Sequence, residues 1–341
     1  MKKLSLWNKL VFLLNSLFAI LLLVSYILPY FPPKIFPPLS VLTLVIPVLI
    51  AANILFVIYW LLLFKKQLIL STLVLIIWFF QGSTLYKISS GKESNQIIKT
   101  ENQLRIFSYN AHVFRSENFS SEEIKTGIAE LIEEANPDVI CFQEFSKRGA
   151  PKLDYPYSYF GEKEGKHVNL QAIYSKYKIV KTGSLEFEST FNNALFADIV
   201  KDKDTLRIYN MHMQSLALTP ELGALEKENT KSLIGRLGRS FKKQQEQTNL
   251  FLTHEKNCRY KKIVAGDFNN TVFSYTYHKI RGDKKDAFVE QGSGFGRTFI
   301  FDIIPLRIDF ILPDPQIEVS AFKTFDVEYS DHFPIEAVLN L

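Results

Sequence analysis

The sequence predicts an α+β fold, two packed sheets flanked by helices in a layered sandwich, preceded by an N-terminal bundle of three transmembrane helices. Three observations lead there. The first 87 residues hold three long stretches without a charge, the remainder shows many β-type runs and few helical ones, and polar residues gather where those runs end.

With 341 residues, 47% of them hydrophobic and 22% charged, the chain is apolar for a soluble protein. The excess is N-terminal. No charged residue lies between Lys9 and Lys34, between Lys34 and Lys65, or between Lys66 and Lys87. Each gap supplies the roughly 20 apolar residues that a spanning helix needs, which gives spans at about 10–30, 39–64 and 67–86. Core helices of soluble proteins rarely stay apolar on every face for so long. A cleaved signal peptide fits poorly, because the first stretch lacks a small-residue cleavage site and two more stretches follow.

Lysines orient the bundle. Lys2, Lys3 and Lys9 precede the first span and Lys65 and Lys66 separate the second from the third, whereas the turn from Pro29 to Pro38 holds only Lys34. The positive-inside rule then puts the N-terminus in the cytoplasm and everything after about Tyr86 on the extracytoplasmic side. The third span carries Gln67, Gln81 and Gly82; if it lay in the interface instead, the rest of the chain would return to the cytoplasm.

Residues 88–103 are polar and aperiodic and read as a tether, and a domain is expected over 104–341. Residues 1–87 take seven of the 40 basic residues and none of the 35 acidic ones, leaving 33 against 35. The net charge of +5 and the pI of 8.9 therefore describe the anchor. They give no ground for a nucleic-acid affinity of the domain. Cys141 lies in an apolar run and Cys258 in a polar one, without the spacing of a metal site or a disulfide framework.

Within the domain, strands are expected at 104–109, 139–142, 171–174, 195–200, 206–210, 263–265, 307–312, 318–325 and 335–339. A helix is expected over Ser120–Ala135, where Ser120 and Glu123 form a capping box and Ile124, Ile128, Leu131, Ile132 and Ala135 recur at helical spacing. A second, partly amphipathic helical region runs from Leu225 to about His254.

The polar clusters are Asn110, Gln143-Glu144, His212, Gly266-Asp267-Phe268-Asn269, Arg307-Ile308-Asp309 and Ser330-Asp331-His332. Carboxylates, carboxamides and imidazoles in this number suit metal-assisted phosphoester hydrolysis. In this order, over residues 104–341, they resemble the endonuclease/exonuclease/phosphatase family. The resemblance implies a DNase I-like, four-layer α/β/β/α sandwich and a Mg²⁺-dependent hydrolase, with Mn²⁺ as an alternative cofactor. It implies metal binding by Glu144 with Asn110 and Asp331. It also implies catalytic roles for Asp267 on the attacking or leaving oxygen, Asn269 on the scissile phosphate and His332 as base or donor. Asp309 would orient His332, and His212 would stabilise charge in the transition state. Two departures stand out: His112 occupies a position where some nuclease members carry an acid, and Asn169-Leu-Gln171 follows the family pattern only loosely.

Substrate is left open among a nuclease or similar phosphodiesterase, a sphingomyelinase-like phospholipase and an inositol-phosphate phosphatase, because fold does not choose between them. An inactive, ligand-binding member is the non-enzymatic alternative. Arg236, Arg239, Lys242 and Lys243 form one local basic patch, suited to phosphates, to anionic headgroups or simply to a solvated helix face. The expected partners are a phosphoester substrate and the bilayer. No protein partner is implied.

Overall fold

The computed structural model describes residues 4–80, 86–87, 102–163, 166–218, 229–301 and 304–341. Three apolar helices come first: α1 (Leu6–Ile27), α2 (Ile46–Leu62) and α3 (Leu68–Phe80). They differ from three spans. Among the described residues, only the stretch Leu6–Tyr30, 25 residues, is by itself long and apolar enough to cross a membrane. The second expected span is broken, since a 3-10 segment (Pro37–Thr43) meets α2 at 57°. Proline explains the break: Pro37, Pro38 and Pro47 cannot donate backbone hydrogen bonds, and Pro47 opens α2. The described part of helix α3 has 13 residues, about 20 Å at 1.5 Å per residue, against a hydrocarbon core of about 30 Å. The remainder of that expected span, 81–85, and the tether residues 88–101 lie outside the described residues.

The domain follows as a mixed α/β sandwich. Its strands are β1 (Gln103–Asn110), β2 (Val139–Gln143), β3 (Tyr157–Lys163), β4 (Lys166–Ser175), β5 (Lys178–Ser184), β6 (Asn193–Lys201), β7 (Asp204–His212), β8 (Lys261–Asp267), β9 (Phe299–Phe301), β10 (Ile304–Leu306), β11 (Asp309–Pro313), β12 (Glu318–Thr324) and β13 (Ile335–Asn340). Helices α4 (Ser121–Ala135), α5 (Thr230–Lys256), α6 (Tyr275–Arg281) and α7 (Ala287–Gln291) complete it. The capping box at Ser120 and Glu123 forms as expected. One sheet has the order β12-β13-β1-β2-β4-β3 and the other β11-β8-β7-β6-β5, with β9 and β10 as a separate hairpin.

Alternation builds the layers. Ile106, Cys141, Ile173, Leu195, Ile208 and Ile263 point between the sheets into one core. On the outer face of the first sheet, Phe107, Ile140 and Phe142 pack against Ile124, Ile128 and Ile132 of α4. On the outer face of the second, Tyr209, Met211, Val264 and Phe310 pack against Phe251 of α5 and Tyr277 and Ile280 of α6. The result is the expected α/β/β/α order. Cys141 is buried in β2 and both cysteines are free thiols.

Two parallel pairs set the register of one rim. In β1 and β2, Asn110 lies opposite Gln143, and in β7 and β8, His212 lies opposite Asp267. The antiparallel neighbour β11 places Asp309 opposite Asp267. Three expected site residues thus stand side by side across three adjacent strands.

Candidate active site

The chain bends sharply on entering the rim. Glu144 and Asn269, each just past a strand end, have left-handed φ of 46° and 49°, a conformation that non-glycine residues adopt at a cost. Gly266 has φ 136°, and a Cβ there would lie 2.1 Å from the Met211 carbonyl oxygen. Only glycine fits where β8 passes β7 beneath the site.

Beneath the rim, a buried amide network ties the sheets together. The Gln143 Nε2 donates to Asn210 Oδ1 at 2.7 Å, the Asn210 Nδ2 donates to the carbonyls of Phe142 and Ala172, and the Gln171 Nε2 donates to the Asn210 carbonyl at 3.0 Å. Gln171 is therefore spent inside the sandwich, and Asn210, two residues before His212 in β7, is the hub of the network.

Asp267, fully buried, is the centre of the rim. Its Oδ1 accepts from the Asn269 backbone N–H at 2.6 Å, and its Oδ2 accepts from Asn269 Nδ2 at 2.8 Å and Asn110 Nδ2 at 3.1 Å. Asn110 Nδ2 also lies 3.4 Å from Glu144 Oε1, so one carboxamide spans two carboxylates. His332 Nδ1 and Asp309 Oδ2 are 2.9 Å apart, and His332 Nε2 faces Asp267 Oδ2 at 3.9 Å. His212 Nε2 lies 3.0 Å from Asn192 Nδ2, 3.7 Å from Glu144 and 3.8 Å from Asp267. Asp331 stands apart from this group: its Oδ1 meets His112 Nδ1 at 3.0 Å and accepts from Ser330 Oγ. Asn192 is a neighbour that no sequence pattern marks, whereas His112, which stands in the sequence as a departure from the family pattern, proves to be the partner of Asp331.

Burial and charge set the protonation states. Burial pushes the Asp267 carboxyl up to about 8, against the pull of His332. Burial opposes protonation of His332, but the charges of Asp309 and Asp267 win and raise it to about 10. The two titrate as a linked pair. Burial lowers His212, which is neutral as a result. The hydrogen bond to Asp331 raises His112; burial of Asp331 works the other way, yet His112 and His332 bring its carboxyl down to about 2. The rim therefore offers a charged donor at His332, a carboxyl at Asp267 whose proton affinity is raised towards that of a general base, and a neutral imidazole at His212.

The basic patch on α5 is partly structural. The Arg236 Nη1 donates to the carbonyls of Leu216 and Ala217 and the Lys243 Nζ to that of Ser189, while Arg239 and Lys242 are exposed.

A family model described as "Endonuclease/Exonuclease/phosphatase family" matches residues 107–332. The chain belongs to this family. It is a phosphoester hydrolase, of a family that generally uses a divalent metal. Residues 8–85 match a second model, described as a domain of unknown function. No match was found among curated proteins. Among solved structures, the endonuclease/exonuclease/phosphatase from Bacteroides vulgatus is 19% identical, with TM-score 0.54 over 71% of this chain and 100% of that one. A humanized Danio rerio TDP2 carrying 14 mutations is 17% identical, with TM-score 0.54 over 70% and 100%. Danio rerio TDP2 complexed with single strand DNA product is 16% identical, with TM-score 0.52 over 70% and 99%. At these identities the likeness shows the shared fold of the family domain.

Proposed function

We propose that the chain is a membrane-anchored, Mg²⁺-dependent phosphodiester hydrolase in which water attacks phosphorus in line. One observation carries the reading: the Asp309–His332 pair, the buried Asp267, the neutral His212 and the solvent-reaching Glu144 converge on one rim. Asp267, made basic by burial and held by Asn269 and Asn110, takes the proton of the attacking water. His332, kept charged by Asp309, donates to the phosphoryl oxygens, and His212 steadies the same charge.

The donor set fits a hard divalent cation. Glu144 is a partly exposed carboxylate of the kind Mg²⁺ prefers, and the Asn110 Nδ2 donates both to it and to Asp267, which holds the two carboxylates together. Glu144 would hold Mg²⁺ or Mn²⁺, which would supply charge neutralisation at the phosphate oxygens, and Asn110 would join it through Oδ1 on turning its carboxamide away from the His112 N–H. Asp331, engaged with His112, is the third member of the proposed metal set. Asp267, Asp309 and His332 also bring ligand atoms within 4.8 Å of one another, but His332 Nδ1 is committed to Asp309, and this group is read as proton-handling.

Two features support the anchor. The helices hold polar groups inside and large apolar ones outside: Asn15, Asn53 and Ser71 are fully buried, while Leu13, Leu55 and Phe79 are 66%, 65% and 76% exposed, an arrangement expected in lipid. The domain docks at the end of the helices opposite Lys9, Lys65 and Lys66, through Tyr30 on His278 and the Lys34 N–H on Gln245 Oε1. With those lysines in the cytoplasm, residues 102–341 are extracytoplasmic.

For substrate, nucleic acid is the first reading, supported by the DNA product in the similar TDP2 structure. A membrane-borne phosphoester is the second, favoured by the docking of the helices on Phe273, in the loop that carries Asn269. The deciding experiment uses the full chain in detergent on bis-p-nitrophenyl phosphate, with and without Mg²⁺ and with Glu144→Ala. Turnover that needs Mg²⁺ and is lost in the variant is expected; metal-independent turnover refutes the mechanism. Plasmid DNA compared with sphingomyelin and phosphoinositide vesicles then separates the substrates.

A further inference from the structure

Asn269 and Asp267 are held from a direction that the hydrolytic reading does not use. Helix α5 has 27 residues, about 40 Å, whereas the seven residues of β8 cover about 23 Å. Gln244, buried in α5, lies level with the end of β8, so residues 230–243 project beyond the rim. Its carboxamide makes four bonds at that level. Nε2 donates to the carbonyls of Gln214 at 2.7 Å, Asn269 at 3.2 Å and Phe268 at 3.4 Å, and Oε1 accepts from Asn270 Nδ2 at 2.7 Å. Every polar atom of the side chain is thus spent on the loop that carries Asn269 and on the strand end after His212.

The other end of this loop leaves the domain. Phe273, 5% exposed, joins the core of the apolar helices with Ala19, Leu22, Ile46 and Val74, and Val272 packs at its edge. The projecting part of α5 meets the same unit. Leu237 and Phe241 pack with Val41 and Leu44, and a Cβ on Gly238 would lie 3.1 Å from Pro37. Residues 268–273 are therefore fixed at one end by Gln244 and at the other by the apolar helices.

We propose that Gln244 is a positioning residue for Asn269 and Asp267, and that the apolar helices, through Phe273, are part of the scaffold of the site as well as its anchor. The left-handed conformation of Asn269 makes such support necessary. Its N–H and Nδ2 hold both oxygens of Asp267, so a shift of the loop turns the carboxylate that serves as base. A misplacement of about 1 Å at such a group costs on the order of 100-fold in rate.

The proposal rests on the hydrolase reading for its kinetic arm only. In the full chain, Gln244→Met keeps the volume and removes the four hydrogen bonds. The expected result is a fall in kcat of about 100-fold with little change in KM, and faster amide exchange confined to residues 268–271. Thr253→Val, further along α5 on its exposed face, where the hydroxyl bonds only the Asn249 carbonyl, serves as control and leaves both unchanged. Phe273→Ala, tested in parallel, is expected to speed exchange in the same loop amides, and it decides the matter should Gln244→Met fail to fold. Unchanged kcat, or exchange raised equally throughout β7 and β8, overturns the assignment. A wild-type chain without any turnover sinks the hydrolase reading alone, because the exchange arm still judges the positioning.

Discussion

His332 Nδ1 lies 2.9 Å from Asp309 Oδ2, with both side chains buried and with Asp267 facing the other ring nitrogen. The two residues come from different sheets, Asp309 from the start of β11 and His332 from the segment before β13. Phe299 packs on the imidazole with ring centroids 4.8 Å apart and shields it from water. A histidine enclosed in this way would ordinarily be neutral. Two carboxylates reverse the outcome and make it a donor.

Asp309→Asn should therefore move the alkaline limb of the pH profile of kcat/KM. With Asp309 present, His332 keeps its proton up to about 10; without that charge, burial is opposed only by Asp267 and Asp331, the imidazole falls from that value and activity is lost at a lower pH. The sign for stability agrees. The folded pKa lies above the unfolded value of 6.5, so the stabilisation from the pair is complete below 6.5 and fades as pH rises through about 10. Thermal unfolding of wild type and Asp309→Asn from pH 6 to 10 should show the two converging at the alkaline end.

Glu144→Gln separates charge from shape. It keeps the side-chain length and the left-handed turn but removes the charge suited to a hard cation. The expected outcome is a loss of turnover of at least about 100-fold, partly recovered at high Mg²⁺, with thermal stability unchanged. A Mg²⁺ titration of activity checks this. Glu144→Ala should lose the recovery as well.

Gly266→Ala should be among the most damaging single changes in the domain. The added methyl meets the Met211 carbonyl at 2.1 Å, and the backbone φ of 136° is foreign to alanine. Strand β8 must then separate from β7 directly below His212 and Asp267. A loss of several kcal/mol is expected from overpacking and strain together, measurable by denaturant unfolding, and turnover should fall even in the folded fraction.

The sequence allowed much of this to be read because the relevant signals are local. Apolar runs end in Asn110, Glu144, His212 and Asp267, and parallel pairing of β1 with β2 and of β7 with β8 converts those sequence positions into one rim. The Ser120 capping box is equally local. What escaped depends on distant partners. Strand β5 alternates poorly and is held mainly by pairing with β6, and the β9–β10 hairpin is three residues a side. Gln244 sits in a Gln-Gln-Glu-Gln run that reads as a solvated helix face until the loop after β8 is seen against it. The three expected spans misled for a related reason: charge-free length was visible, but the bend at Pro37–Thr43 was not.

The polar cluster inside the apolar helices supplies a last prediction. The Trp60 Nε1 donates to Asn15 Oδ1 at 2.8 Å, the Asn15 Nδ2 donates to Ser71 Oγ at 2.5 Å, and the Ser71 Oγ donates to Asn53 Oδ1 at 2.7 Å. One chain of hydrogen bonds thus joins α1, α2 and α3 where no charged residue is available. In water such a cluster competes with solvent; in lipid the only alternative is an unsatisfied polar group, and bonds of this kind contribute about 0.6–2 kcal/mol each. Asn15→Leu removes the bonds on both sides and leaves Trp60 and Ser71 short of partners. The three helices should loosen, and because Phe273 is buried among them, turnover should fall together with helix packing. Steric-trap unfolding of the full chain in bicelles, followed by an activity assay on the same sample, measures both. Loosened helices with unimpaired turnover would show that the site does not need them.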